Sequence, residues 1–297
     1  MSSLLLAWLA VTAAPHDGHA IVRGKAGGSE IVITTTARVA GAIHSLTWGG
    51  MEFLDSADHG RQLQSASNFD VGGVFVPEVF NPTEAGSMSD GAGASSTSRL
   101  LKISAAGAEL TTTTQMAFWL RSGEKSQGHP ARNDKALSDH LISKRVHIGH
   151  GDLPHAIAYD VTFTVPEGER HTFAQFEALT GYMPPGFSRF WTFDPDAGGR
   201  KSLDDGPGEQ ASPVIFATPD GSHAMGIFSP DRDKTPGYGR FRFEAEKVNK
   251  WNCVFRVRDP AGIAAGEYAY RMVVVVGSLE DVEGTMAKLI EEFRHPG

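Results

Sequence analysis

Residues 155–182 read HAIAYDVTFTVPEGERHTFAQFEALTGY, and this stretch decides the fold. Ile157, Tyr159, Val161, Phe163 and Val165 alternate with Ala156, Ala158, Asp160, Thr162 and Thr164. Successive side chains of a strand point to opposite faces, so one side of this segment is core. Pro166-Glu167-Gly168 then supplies a turn. Beyond it Ala174, Phe176 and Ala178 share a face, while Gln175 and Glu177 take the other and lead into Thr180, Gly181 and Tyr182. Long strands separated by Gly, Pro and Asp turns are the signature of large antiparallel sheets rather than of parallel βαβ units.

The same signal recurs outward in both directions. Period-two or apolar runs occupy residues 30–39, 42–48, 100–104, 109–120, 140–148, 187–193, 214–217, 224–228, 240–244, 251–257 and 268–276. Gly, Pro and Asp turns such as Pro219-Asp220-Gly221 separate them. One helix is predicted, over residues 278–294: Ser278 with Asp281 forms a capping-box pattern, and Val282, Met286, Leu289, Ile290 and Phe293 make one apolar stripe. It should close a sheet as a lid. The expectation is an all-β chain, a large antiparallel β-sandwich forming a single domain over residues 14–297. Residues 123–139 are expected to be a mobile loop and 194–210 a second loop; no repeat of solenoid or propeller period occurs.

Composition narrows the function. The 297 residues carry a formal charge of −8, and no run of Lys or Arg forms the stripe that phosphate backbones require. Nucleic acid is therefore excluded as the expected partner, and a neutral glycan suits the charge better than a polyanionic one. Residues 3–15, SLLLAWLAVTAAP, predict a signal peptide over residues 1–13 with cleavage before Ala14, hence secretion or a periplasmic location. That apolar run is too short for a membrane span, and no later segment is long enough. Cys253 is the only cysteine, which rules out an intrachain disulfide.

The densest polar stretch is residues 58–90, DHGRQLQSASNFDVGGVFVPEVFNPTEAGSMSD. Its Phe and Val residues argue against disorder, so it is expected to be an ordered, irregular surface that carries the site. Pro82 and Gly86 can present Asn81 and Glu84 together. Acid–base work on a glycosidic bond needs two groups flanking the reacting centre. Glu84 and Glu177 are the candidates, with His59 assisting. Arg61, Gln64, Asn81 and Tyr182 are the candidate sugar-binding residues, the guanidinium and amides as donors and the phenol ring as a stacking surface. Arg240, Arg242 and Arg256 fall on two strands and predict a basic face. His147, His150 and His155 lack a recognised metal-ligand spacing, so no metal is expected. The absence of a Gly-x-Ser-x-Gly elbow, a phosphate loop or a dinucleotide fingerprint calls for no cofactor.

Residues 39–55, VAGAIHSLTWGGMEFLD, followed by Asp58-His59-Gly60-Arg61, resemble the opening of galactose-mutarotase-like (aldose 1-epimerase-like) proteins. The patterns NPTEAG at 81–86, FEALTGYMPP at 176–185 and WNCVFRV at 251–257 are similar to those of a group of secreted bacterial proteins. The resemblance implies a β-supersandwich and a site with a His acid, a Glu base and a nearby Arg, for which Arg61 is suitably early in the chain. The family's His-aromatic-Asn-Leu motif is absent. Hydrolases, polysaccharide lyases and noncatalytic sugar-binding domains share that fold. The leading expectation is thus a glycoside hydrolase acting on a neutral glycan. Aldose epimerase, lyase (Tyr182 or His59 as base, Arg61 neutralising a uronate) and a noncatalytic glycan-binding module are the alternatives.

Overall fold

The structure, a computed structural model, describes residues 17–194 and 196–294. The expected signal peptide, residues 1–13, lies outside the described residues. All strand pairings are antiparallel. A small sheet runs in chain order through Ala20–Ala26, Ser29–Thr35, Ile43–Trp48 and Met51–Glu52. Apart from a two-stranded hairpin, Lys125–Ser126 with His129–Pro130, the remaining strands form a 15-stranded sheet. At its centre Leu137–His150 joins Glu109–Phe118 to Leu153–Val165, which pairs in turn with Gly266–Gly277. On the other flank Glu109–Phe118 leads through the short Pro82–Thr83 strand to Gln64–Phe69, Phe173–Met183, Val248–Arg258 and Gly237–Phe243.

A sheet this wide must curl, and its two halves stack on each other. Phe163 and Phe176, on strands several places apart in the sheet, have ring centroids 5.0 Å apart. Phe176 stacks on Tyr268 at 5.0 Å and Phe255 on Tyr270 at 4.3 Å. The predicted alternation of residues 155–165 is therefore real: Ile157, Tyr159, Val161, Phe163 and Val165 are all buried between the layers. Val22, Ile31, Ile33, Leu46 and Phe53 from the small sheet join the same core. This is the all-β supersandwich expected from the sequence.

The helix spans Leu279–Glu292, and the reciprocal Ser278–Asp281 capping box is formed. Val282, Met286, Leu289 and Ile290 are buried against Ala156, Ile215, Phe228, Val273 and Val275 on the outer face of one layer. The helix closes that face as predicted.

Three expectations change. Residues 58–90 are not wholly irregular, because Gln64–Phe69 is a strand hydrogen-bonded into the sheet beside Phe173–Met183. Its inward positions are Ser65, Ser67 and Phe69, and two serines out of three hide the hydrophobic alternation that would have revealed it. Residues 20–26 form a first strand that the sequence reading passed over. Residues 123–139 hold a small hairpin, Lys125–Ser126 with His129–Pro130, tied to the body by the Arg132 N–H donating to the Val79 carbonyl at 2.8 Å.

Candidate functional site

A one-residue irregularity builds the site. Phe173–Met183 pairs Glu177 with Val254 but Leu179 with Cys253, so Ala178 is extra and the pairing shifts. A bulge of this kind re-aims the side chains that follow it. Without it Glu177 and Tyr182 would lie on opposite faces, since five residues separate them. With it Gln175, Glu177, Thr180 and Tyr182 share the face away from the core, and Phe176 and Leu179 point inward. Gly181 lies over Trp251 so closely that a Cβ there would sit 2.5 Å from the indole. Glycine is required for that approach rather than for a turn.

The neighbouring strand adds Gln64, Ala66 and Asn68 to this face, and Lys250 arrives from the other side, paired across from Tyr182. Together they line a cavity of about 160 Å³. Asn81 and Thr83 help form its floor, and Trp119, Pro77 and Glu78 form its rim. At roughly 30 Å³ per water this is space for about five waters, comparable to one monosaccharide.

Charge in the cavity is organised around Lys250. Its Nζ is 3.0 Å from Glu177 Oε2, and both side chains are almost buried, at 14% and 13% exposure. The ammonium also lies 5.3 Å from the Tyr182 ring centroid and 5.5 Å from that of Phe241. Burial pushes the Lys250 ammonium down, but the Glu177 charge and hydrogen bonds to Glu177 and Tyr182 outweigh it and hold Lys250 above its ordinary value. For Tyr182 burial is the largest influence and raises the phenol; Lys250 opposes it, Glu177 and Glu78 add to it, and the phenol stays above its ordinary value. Tyr182 is thus a neutral donor at the cavity wall.

Glu78 brings a second carboxyl to the rim. Its backbone is left-handed at φ 71°, a conformation that costs a non-glycine residue about 1–3 kcal/mol and needs support from its surroundings. The support is visible: the Glu78 N–H donates to Asn68 Oδ1 at 2.9 Å, and Ser126 Oγ donates to Glu78 Oε2 at 2.8 Å. The hairpin in residues 123–139 therefore steadies a carboxylate of the cavity.

The structure brings four of the expected residues together, Gln64, Asn81, Glu177 and Tyr182, and separates three. Glu84 is the largest departure. It is fully buried, accepts the Ser65 N–H at 3.0 Å and is ion-paired with Lys144, whose side chain is 1% exposed. Its neighbour Ser65 is on the inward face of its strand, so Glu84 serves the core and does not line the cavity. His59 is also buried, with both ring nitrogens 2.7 Å from backbone carbonyls, those of Gly91 and Arg38. It fastens loops together. Arg61 pairs with Asp58 at 2.9 Å and with Asp55 at 3.7 Å, outside the cavity lining. Of the four that remain, Gln64 spends its amide on backbone, donating to the Gly60 carbonyl and accepting from the Ala85 N–H. Asn81 donates to the Ser67 carbonyl at 2.7 Å.

Glu78, Trp119 and Lys250 were missed. The left-handed conformation of Glu78 has no sequence signature, because non-glycine residues carry none. Lys250 enters the site only through its pairing with Tyr182, and Trp119 only through the fold of its loop. The expected basic face is neutralised: Arg240 pairs with Asp204, Arg242 with Asp205 at 2.7 Å, and Arg256 makes a two-pronged contact with Glu209 at 2.7 Å. Among the described residues no three His, Cys, Asp or Glu side chains are grouped to hold a metal ion, and no helix is long and apolar enough to cross a membrane.

No protein-family model and no curated protein sequence matches the chain. Solved structures do resemble it. A Klebsiella pneumoniae protein assigned as an aldose 1-epimerase is 9% identical, with a TM-score of 0.48, over 92% of this chain and 86% of its own. A Synechocystis sp. PCC 6803 protein is 9% identical, with a TM-score of 0.47, over 94% of this chain and 100% of its own. The 4-alpha-glucanotransferase of Thermococcus litoralis is 9% identical, with a TM-score of 0.46, over 90% of this chain and 42% of its own. The chemistry of the cavity stands on its own residues.

Proposed function

We propose that the protein is a carbohydrate-active enzyme that hydrolyses a glycosidic bond of a neutral glycan in the cavity between Glu78 and Glu177. The observation that carries this reading is the presence of two carboxyl groups on one cavity of monosaccharide size, bordered by Trp119 and Tyr182. Hydrolysis at an anomeric carbon calls for two carboxyl groups, one to protonate the leaving oxygen and one to act as base or nucleophile. Lys250 is a fixed cation against Glu177, which suits Glu177 to the second role. Glu78, on the more exposed rim and without an ion pair among the described residues, takes the first. Trp119 offers its ring to the apolar face of a sugar, and the amide NH₂ of Asn68 and the Tyr182 hydroxyl supply donors. We further propose export, on the strength of residues 1–13.

The test is release of new reducing ends from a panel of neutral oligosaccharides. Glu177→Gln and Glu78→Gln should each reduce turnover by about 100-fold or more; Glu78→Gln should leave the melting temperature nearly unchanged, and Glu177→Gln, which strips Lys250 of its counter-charge, should lower it by roughly 2–6 °C. Full activity in both variants would sink the assignment. A second reading, a noncatalytic glycan-binding module, is favoured by one fact: the Glu177 carboxylate is already engaged by Lys250. Saturable binding on a glycan array without any turnover would select it.

A further inference from the structure

Beneath the cavity wall lies a cluster that the proposed chemistry does not use. Glu169 Oε2 is 2.8 Å from His140 Nε2 and 3.1 Å from His171 Nε2. The other His171 nitrogen, Nδ1, is 2.6 Å from the backbone carbonyl oxygen of Asp70. Both partners of His171 are acceptors, so both contacts are hydrogen bonds only when both ring nitrogens carry hydrogen. The ring lies 4.8 Å from that of Phe69 and 5.0 Å from that of Phe80, an aromatic surround that favours a cation. The Asp70 carboxylate in turn accepts the Thr172 and Phe173 N–H groups at 2.7 and 2.8 Å.

These contacts gather the two ends of one excursion of the chain. Phe69 and Asp70 precede residues 71–79, and Phe80 follows them. That excursion carries Pro77 and Glu78 to the rim of the cavity. We propose that doubly protonated His171 is a latch that holds residues 71–80, and with them Glu78, in the cavity wall, so that the wall loosens as His171 loses its proton. The functional importance of the latch rests on the cavity being the active site.

Two carboxylates favour the His171 cation, and one neighbouring imidazole competes for the same carboxylate. Glu169 faces it from its own turn and Asp70 from the end of the Gln64–Phe69 strand. His140, from Leu137–His150, shares the Glu169 oxygen. The segment after Val248–Arg258 adds no charge here: the Asp259 carboxylate turns to the Ala261 N–H, and Ile263 donates its N–H to the His171 carbonyl at 2.6 Å. Burial pushes the His171 imidazolium down, but its bonds to Glu169 and Asp70, with their charges, outweigh this and raise it above the ordinary 6.5. Contacts that require the proton are therefore complete below that value and are lost as pH rises through the raised one.

Hydrogen exchange of the full-length protein, read by mass spectrometry from pH 6 to 9 and divided by intrinsic rates, tests the latch. Protection of residues 71–80 should fall about tenfold or more with rising pH, the scale of one lost charge-assisted hydrogen bond, while residues 271–276 stay unchanged. In His171→Gln the protection of residues 71–80 should be low and flat with pH. Constant protection in the unaltered protein, or an unaltered pH profile in His171→Gln, would overturn the proposal. If that variant does not fold, Glu169→Gln replaces it and should move the loss of protection to lower pH, an unmoved profile counting against the latch. Exchange needs no sugar, so this test keeps its meaning even if the hydrolase assignment fails.

Discussion

Glu84→Gln should destabilise the protein strongly while leaving its site intact. Glu84 and Lys144 side chains are 0% and 1% exposed, so neither has water to fall back on. Glutamine has nearly the same shape, which removes any cavity contribution and leaves electrostatics. The substitution retains an oxygen for the Ser65 N–H but turns an amide NH₂ toward the Lys144 ammonium, whose remaining bond is a long one of 3.5 Å to the Gly41 carbonyl. The nearby Tyr159 hydroxyl is buried and hydrogen-bonds to no described residue. Its phenol is pushed well above its ordinary value, first by burial and then by the Glu84 charge, so it offers no anion in compensation. An uncompensated buried charge costs about 3–5 kcal/mol. At about 2 °C per kcal/mol for a chain of this length, the melting temperature should fall by roughly 6–10 °C. Urea denaturation provides the free energy directly. Adding Lys144→Met should recover much of the loss, because a buried pair replaced on both sides is close to neutral. A cost below about 1 kcal/mol, or a double variant worse than both singles, would refute the burial argument. Lost turnover at unchanged stability would refute the placement of Glu84 outside the chemistry.

Lys250→Met should lower turnover by about 100-fold and cost about 1–3 kcal/mol, since the nearly buried Glu177 would lose its counter-charge; adding Glu177→Gln should restore stability but not activity. Trp119→Ala should weaken sugar binding by about tenfold, read as a rise in KM or in the dissociation constant on a glycan array, with the melting temperature little changed. Gly181→Ala should cost about 1–3 kcal/mol by driving a methyl into the Trp251 indole, visible as a changed near-ultraviolet circular dichroism signal. At acid pH the Glu169 cluster should fail in a defined window. Burial raises the Glu169 carboxyl, but hydrogen bonds from His140 and His171 and their charges bring it down to about 2. Asp70 is also lowered: burial raises it, and the bonds from Phe173 and Thr172 more than compensate. Depressed carboxyls contribute fully above their unfolded values near 4 and lose that contribution as pH falls toward 2. Glu169→Gln and Asp70→Asn should each flatten this acid limb in denaturation curves taken between pH 5 and 2.

The strands that were legible are those with one apolar face. Residues 155–165 show it outright, and the helix announces itself through Ser278, Asp281 and its stripe. Gln64–Phe69 was not legible, although it is fully enclosed. One of its faces meets the core through small serines and the other forms the cavity, so neither supplies the contrast on which alternation depends. The site was half legible for a related reason. Glu177 and Tyr182 stood out beside glycine and on a polar face, but their shared orientation depends on the extra Ala178. Glu84 stood out equally, from Pro82 and Gly86, yet the same turn delivers it to Lys144. A turn motif reports that a side chain is presented without reporting to which side.

What the sequence determines by itself is class and layering: an antiparallel all-β chain closed by one helix, acidic, with polar residues concentrated in 58–90 and around Glu177. These follow from periodicity and composition, which act locally along the chain. Tertiary structure alone decides which carboxylates meet a ligand. Lys250 reaches Glu177 through a register 73 positions away, and Glu78 is held by an Asn from one strand and a Ser from a distant hairpin. Glu84 and Lys144 are joined across the interior in the same manner. Such pairings depend on how the sheet curls and where the bulge at Ala178 falls, and neither leaves a local mark in the order of the residues.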